Sequence, residues 1–225
     1  MQVRWYGQSA FALTAGAQRV FVDPFGNMDA ARGRGMTWNY PAIHGAAADL
    51  LLVTHEHGDH NAVDVIGEVK QTVRSSAGSF DTPLGRVIGI ASEHDDVAGT
   101  KRGANVIYVF QLDGMRVCHM GDFGQAELRP AQRESIGDID LLFVPVGGMA
   151  TIDGAAAAKL VEEINPSWVV PMHYRTPAIS FLDTAESFLD KVRGEVVTLS
   201  APDFDTGQSN PDGDRIIVVP APPLH

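Results

Sequence analysis

Short apolar runs separated by turn residues dominate the hydrophobic pattern of this chain. Such runs predict β-strands, because a short strand needs only a few apolar residues to pack against a hydrophobic core. Residues 50–53 form a continuous apolar run, which is typical of a strand buried on both faces. Asp113-Gly114 indicates a hairpin between two of the runs. The predicted strands are residues 2–6, 11–14, 19–22, 50–53, 86–91, 106–112, 116–120, 141–144, 168–171 and 196–199.

Two segments have helical spacing, and both lie late in the chain. One helix is predicted over residues 154–164, with Asp153 as its N-cap, and another over residues 184–192. Strands therefore cluster early, and strand–helix alternation follows. This order favours an α/β (α+β) fold, specifically an αββα sandwich of two mixed β-sheets flanked by helices, over a doubly wound sheet.

Two segments lack clear periodicity. Residues 26–48 are rich in glycine, alanine and arginine and predict a long loop, which in a compact domain usually has a function. Residues 201–215 are rich in aspartate, glycine, proline and serine and predict a surface loop.

Composition narrows the class of protein. The chain has 225 residues, 44% hydrophobic and 20% charged, which is enough for a sizeable core. No repeat or linker interrupts the pattern, so we expect a single domain over residues 1–225. The net charge of −11 argues against nucleic acid or an anionic membrane as a partner. Homo-oligomer formation is left open.

Compartment signals are weak. Cys118 is the only cysteine, so no intrachain disulfide forms. The first residues lack the apolar core of a signal peptide, and no apolar stretch approaches the roughly 18 residues of a membrane span. We therefore expect a cytoplasmic protein.

The strongest chemical signal directly follows the apolar run at residues 50–53. His55, His57, Asp59 and His60 lie within six positions. In an extended loop, His55 and His57 point the same way and can hold one ion, while Gly58 lets the chain turn so that Asp59 and His60 face a second. Imidazole and carboxylate donors suit Zn²⁺, Mn²⁺ or Fe²⁺.

Further candidate ligands lie at the ends of predicted strands. His94, Asp122 and His173 each follow a strand, and residues on loops held by a rigid sheet are often functional. His119 competes with His94, but it lies inside a predicted strand, where alternation turns it away from Asp122. We therefore favour His94 as ligand and expect His119 to orient a ligand by a hydrogen bond. The alternative for His119 is a buried histidine whose hydrogen bonds serve only the fold.

These motifs together resemble the metallo-β-lactamase superfamily. Within it, the chain is similar to the branch of β-lactamase-like Zn-dependent hydrolases that includes L-ascorbate-6-phosphate lactonase. The resemblance extends from about residue 3 to about residue 175. It rests on residues 54–60, His94, residues 119–122 and residues 171–174, with further matches at residues 23–25, 102–105 and 145–148.

The resemblance implies an αββα sandwich with two divalent metal ions at one edge, between the sheets. Asp59 would also be catalytic by orienting the attacking hydroxide, and Asp122 would bridge both ions. The implied ligands are His55, His57 and His94 for the first metal, and Asp59, His60 and His173 for the second. The branch often has histidine where this chain has Gln8, and a Gly-Pro-rich segment where it has residues 75–79.

Other residues are candidates for supporting roles. Asp23 is expected to form hydrogen bonds beneath the metal loop, with a plain turn role as the alternative. Tyr174 and Arg175 follow a predicted ligand and could contact an anionic substrate group or an oxyanion; either could equally lie at the surface. Gly147-Gly148 could direct backbone N–H groups at substrate or simply form a tight turn.

The sequence thus favours a metal-dependent hydrolase. A metal-bridging hydroxide would attack a small-molecule ester, lactone or phosphodiester. Zinc is favoured over manganese or iron as the cofactor. One alternative is an iron-dependent oxidoreductase on the same scaffold, although diiron members resemble His-x-Glu-x-Asp and this chain has His57 at the second ligand position. The other alternative is a non-catalytic binding protein, against which the complete ligand set argues.

Overall fold

Strands of alternating or continuous apolar character build two β-sheets. The structure, a computed structural model, describes residues 1–33, 35–207 and 214–223, with the side chains of residues 30 and 31 also outside the description. The strands are β1 (Gln2–Gly7), β2 (Ala10–Ala15), β3 (Gln18–Val22), β4 (Ala48–Val53), β5 (Val69–Arg74), β6 (Gly78–Thr82), β7 (Gly85–Glu93), β8 (Ala104–Leu112), β9 (Met115–His119), β10 (Leu141–Pro145), β11 (Trp168–Met172), β12 (Glu195–Thr198), β13 (Asp203–Asp205) and β14 (Ile216–Val219).

Both sheets are mixed. The first has the strand order β13-β1-β2-β3-β4-β5 and becomes parallel from β3 onward. The second has the order β12-β14-β11-β10-β9-β8-β7-β6 and is parallel from β9 to β12. The predicted α/β sandwich is therefore confirmed.

The main core lies between the two sheets. In β4, Leu50 and Leu52 contribute to this core while Leu51 packs on the opposite face, as the alternation of a strand requires. Phe11 of β2 reaches across to Phe143 of β10, with ring centroids 4.5 Å apart. Burial of such apolar surface on both faces of the central strands fixes their register.

The helices cover less of the two sheets than an αββα sandwich implies. They are α1 (Asp29–Gly33), α2 (Pro130–Ile136), α3 (Gly154–Ile164) and α4 (Glu186–Leu189), with a 3₁₀ turn at Val63–Val65. The α3 boundaries match the prediction, and the Asp153 carboxylate caps the helix by accepting from Ala156 N at 2.8 Å. The outer face of the first sheet is instead covered by loop residues, including Trp38, Tyr40 and Leu182. None of the described helices has the length and apolarity needed to cross a membrane.

Several local predictions are wrong. The helix predicted over residues 184–192 is the short α4, and the loop predicted over 26–48 contains α1. The apolar run over 196–199 predicts a buried strand, but the observed strand β12 lies at a sheet edge with Val196 exposed. The loop predicted over 201–215 contains β13, which pairs with β1, while residues 208–213 lie outside the description.

Candidate metal centre

Four loops meet where strands of the two sheets end. Residues 54–60 follow β4 of the first sheet, whereas His94, Asp122 and His173 follow β7, β9 and β11 of the second. The chemistry-bearing loops therefore meet at one edge of the sandwich, between its sheets.

The seven sequence-predicted ligands lie in one cluster. Within each of three groups, the potential donor atoms lie within 4.8 Å of one another. His55 belongs to two of the groups, which connects the ligands expected for one metal with Asp122. The groups are His55 with His57 and His94, His55 with His60 and Asp122, and Asp59 with His60 and His173.

Asp122 occupies the centre of the cluster. One of its oxygens, Oδ2, faces four imidazoles, and the other accepts a hydrogen bond from Ser9 Oγ at 3.2 Å. Burial raises the pKa of Asp122, but the neighbouring His173 and His60 outweigh it and hold the pKa well below its usual range. The distances from Oδ2 to the Nε2 atoms are 3.1 Å for His94, 3.2 Å for His173, 3.3 Å for His60 and 3.9 Å for His55.

The carboxylate of Asp23 supports the metal loop from beneath. It accepts from Thr54 N and Thr54 Oγ1, both at 2.7 Å, and from His60 Nδ1 at 3.0 Å. Burial lowers the pKa of His60, but the surrounding carboxylates, Asp122 foremost, raise it well above its ordinary value. Asp23 itself has a φ of +51°, a conformation uncommon for a non-glycine residue and frequent at functional sites.

Hydrogen bonds assign the tautomers of three histidines. His60 Nδ1 donates to Asp23, and His94 Nδ1 donates to the Ala150 carbonyl at 2.8 Å. Since Thr54 Oγ1 donates its only proton to Asp23, it accepts from His55 Nδ1 at 3.0 Å. With Nδ1 as the donor, the neutral form of each ring has its lone pair on Nε2, which faces the cluster, as metal ligation requires.

Buried ring nitrogens without a hydrogen-bond partner test independently whether the cluster fits a metal ion. Among the side chains that the structure describes, His55 Nε2, His60 Nε2 and His173 Nδ1 are buried without a hydrogen-bond partner. Leaving buried polar atoms unpaired is costly, and a divalent cation would satisfy the two Nε2 atoms, which face the cluster. The residues present thus fit a metal ion with imidazole and carboxylate ligands.

His119 lies outside the cluster and makes no hydrogen bond to a ligand side chain. Its Nδ1 accepts from Gly121 N at 3.1 Å, and its Nε2 donates to the Ser9 carbonyl at 3.0 Å. Burial lowers the pKa of His119, in keeping with a neutral ring. It braces the backbone on either side of the Ser9–Asp122 contact, which fits the alternative of a buried histidine whose hydrogen bonds serve the fold.

Tyr174 and Arg175 are also directed elsewhere. Tyr174 is buried and stacks on Trp5 with ring centroids 5.6 Å apart. Arg175 Nε donates to the Leu182 carbonyl at 2.6 Å. Neither is among the described residues that line the metal pocket, because the chain turns away after His173 at a φ of +51°. The geometry therefore favours a packing role for both residues over the substrate contact that the sequence left open.

Gly147-Gly148 serves close packing. A Cβ on Gly147 would lie 2.1 Å from the His173 carbonyl oxygen, so only glycine lets the two loops approach. Gly148 N already donates to the Ile152 carbonyl at 3.2 Å. The tight turn explains this pair without a role for Gly148 N at substrate.

The cluster forms the floor of a pocket of about 400 Å³. Loop residues form its walls, and the sequence predictions missed several of them as pocket residues. Among them, Arg102 has no sequence signal beyond its place in the resembling segment 102–105. The wall residues are Asn27, Met28, Met36, Trp38, Arg102, Ala150 and Phe181.

The sandwich and its edge cluster define the metallo-β-lactamase type of fold. A family model for the Beta-lactamase superfamily domain matches residues 2–173. The chain therefore belongs to the β-lactamase superfamily, and it is a metal-dependent hydrolase of that superfamily.

Curated and solved relatives agree with this assignment. A UPF0173 metal-dependent hydrolase of Thermococcus onnurineus is 31% identical, covering 78% of this chain and 85% of the relative. One of Thermus thermophilus is 31% identical, covering 86% and 92%. A solved Thermotoga maritima structure, described as a candidate Zn-dependent hydrolase of the metallo-beta-lactamase superfamily, is 27% identical with a TM-score of 0.74, covering 98% of both chains.

Proposed function

We propose that the chain is a dinuclear metallohydrolase that acts on a small-molecule ester, lactone or phosphodiester. The single observation that carries the proposal is the position of Asp122, whose Oδ2 faces four imidazole Nε2 atoms at 3.1–3.9 Å. A carboxylate between two groups of donors is what a bridging ligand requires.

The donors divide between two ions. His55, His57 and His94 would hold the first ion, and Asp59, His60 and His173 the second, with Asp122 shared. Two divalent ions at such a site lower the pKa of a water molecule and stabilise negative charge on the substrate oxygen.

Asp59 is the catalytic carboxylate of the proposal. Its side chain is 23% exposed, lines the pocket, and lies 3.7 Å from His60 Nε2, so it can meet both water and substrate. Asp59 orients the attacking water and accepts its proton as the water oxygen bonds to the acyl or phosphoryl centre. The bond to the leaving oxygen then breaks, and that oxygen takes up a proton.

Zinc is the proposed metal, because the donor set is rich in histidine. The Thermotoga maritima relative, which is described as Zn-dependent, supports this choice. His57 at the second loop position favours a hydrolase over the diiron oxidoreductase alternative. Lactones and phosphodiesters come first as substrates because of the resemblance to the lactonase branch, and the net charge of −11 supports a small molecule over nucleic acid.

The metal content of the protein and its hydrolysis of candidate substrates, which a chelator should abolish, together test this function. Protein made without a histidine tag or chelator should contain about two equivalents of zinc or manganese per chain, measured by mass spectrometry. It should hydrolyse a member of a lactone and phosphodiester panel. Asp122→Asn should lose both properties, whereas His44→Ala, which changes an exposed histidine outside the cluster, should keep them.

Other results would redirect the assignment. Iron with a visible absorption band would support the oxidoreductase. Protein that stays metal-free after reconstitution would contradict the proposal and favour a binding role.

A further inference from the structure

Arg102 is the one lysine or arginine among the described residues that line the metal pocket. No described carboxylate forms an ion pair with it, in contrast to Arg74 with Glu56 and Arg129 with Glu93. Its only described side-chain hydrogen bond is from Nη2 to the Met149 carbonyl oxygen, at 3.5 Å. The guanidinium therefore keeps most of its donors available at the pocket wall.

The loop that carries Arg102 is held by a single carboxylate. Asp95 is buried, and its two oxygens accept hydrogen bonds from four backbone N–H groups. The four donors are Val97 N at 2.9 Å, Gly99 N at 2.8 Å, Lys101 N at 2.9 Å and Arg102 N at 2.8 Å.

Arg102 and the ligand His94 are tied to the same two segments. Asp95 directly follows His94, and His94 N donates to the Gly103 carbonyl at 3.1 Å, which closes the loop. On the other side, consecutive carbonyls bind the two side chains, Met149 O for Arg102 and Ala150 O for His94. The backbone of Arg102 is thereby held beside the metal cluster, and its exposed side chain lines the pocket.

We propose that Arg102 binds an anionic group, phosphate or carboxylate, on the molecule that enters the metal pocket, and that Asp95 is the positioning residue for it. As a statement about substrate, the inference rests on the proposed hydrolase function. The planar guanidinium matches either anion with paired hydrogen bonds. Met28, Met36 and Phe181 provide apolar surface for the rest of the molecule.

Ligand binding to metal-free protein tests the inference without turnover. Phenyl phosphate, benzoate and the neutral benzyl alcohol serve as probes in calorimetric titrations. Arg102→Gln should weaken binding of at least one anion about 10- to 100-fold and leave benzyl alcohol unchanged. Arg102→Lys should recover part of the loss. The matched control, Lys101→Gln, changes the adjacent exposed cation outside the pocket and should bind like the wild type.

The two anions separate a phosphate site from a carboxylate site. A loss confined to phenyl phosphate identifies a phosphorylated ligand, and one confined to benzoate a carboxylated ligand. Equal binding of all three probes by the wild type, or unchanged anion binding by Arg102→Gln, would overturn the proposal. If no variant and not even the wild type hydrolysed a substrate, but the wild type still bound anions more tightly than benzyl alcohol, the hydrolase function would be contradicted. The proposal for Arg102 as an anion-binding residue would stand.

Asp95→Asn tests the positioning role. Amide hydrogen exchange at Val97, Gly99, Lys101 and Arg102 should accelerate, and anion binding should fall toward the level of Arg102→Gln. In the loaded enzyme, KM for an anionic ester should rise more than kcat falls, while a neutral ester is unaffected. Equal losses for anionic and neutral ligands would indicate a merely structural role and contradict the assignment.

Discussion

The floor and the walls of the metal pocket are built differently. On the floor, buried hydrogen bonds fix the ligands, as Asp23 does for His60 and Ser9 for Asp122. The walls come from irregular segments on either side, including Met36 and Phe181, both partly exposed. Asp95 is an exception, because it gives the wall around Arg102 the same kind of support as the floor has.

This difference assigns separate tasks to the two regions. Metal affinity requires donors held in place, since outer hydrogen bonds set the orientation and basicity of the ligands. Selection of a ligand depends on surface shape and charge, which loops can vary without disturbing the floor. We therefore expect floor substitutions to change metal content and wall substitutions to change KM.

Asp23→Asn in the floor should have a larger effect than any substitution in the walls. The amide cannot accept from Thr54 and His60 as the carboxylate does, so His60 loses its fixed orientation. Metal affinity or activity should fall about 10- to 100-fold, measured by competition with a chromogenic chelator. Asp81→Asn, at an exposed position of β6, serves as the control. Unchanged metal affinity would break the proposed link between the floor network and metal binding.

Phe181→Ala tests the walls. Loss of this partly exposed ring should raise KM about 10-fold through lost apolar contact, with metal content unchanged. Phe80→Ala, which removes a similarly exposed phenylalanine of β6 outside the pocket, should leave KM unchanged. A loss of metal from Phe181→Ala would mean that floor and wall are not separate.

The sequence predicts the floor better than the walls. The ligands follow strands whose apolar runs are readable, such as Leu50–Val53 within β4, and their residue types are those of metal chemistry. The approach of Arg102 to the pocket, in contrast, depends on the Asp95 hydrogen bonds and on the Met149 carbonyl. Such contacts between distant segments leave no periodic signal.

The same distinction explains which strands were missed. β5 and β6 have few buried residues, so backbone pairing defines them, and pairing is not visible in side-chain pattern. β13 is an edge strand of three residues with only Phe204 buried. β14 differs, because its apolar run Ile216–Val219 carries the signal of a buried strand and could have been predicted.

Gln8 is an anomaly of the floor. Among the described side chains, its buried amide has no hydrogen-bond partner at either atom, next to Ser9, which contacts Asp122. Gln8→Met removes the unpaired amide at similar volume and should raise the free energy of unfolding of metal-free protein by about 1 kcal/mol, measured in urea. The control Gln132→Met removes a buried amide with partners in Arg129 and Ala91 and should destabilise. Equal destabilisation by both would show that Gln8 has a partner in solution.

Glu56 sharpens the comparison within a single loop, because it faces outward between the ligands His55 and His57. The Arg74 hydrogen bonds, with burial opposing them, lower the pKa of Glu56 to about 2. A lowered pKa stabilises the fold above the ordinary pKa of 4.5, and that stability is lost as pH falls toward about 2.

Glu56→Gln should therefore have the smallest effect. Since the Glu56 side chain is 49% exposed, solvent screening limits the loss in free energy of unfolding to about 0.5 kcal/mol at pH 7. The difference from the wild type should shrink between pH 4.5 and 3 in urea titrations of metal-free protein. Arg74→Gln and the double variant complete a cycle that isolates the pair. If Glu56→Gln instead lowered metal affinity as much as Asp23→Asn, the outer face of the loop would belong to the floor, and the division drawn above would fail.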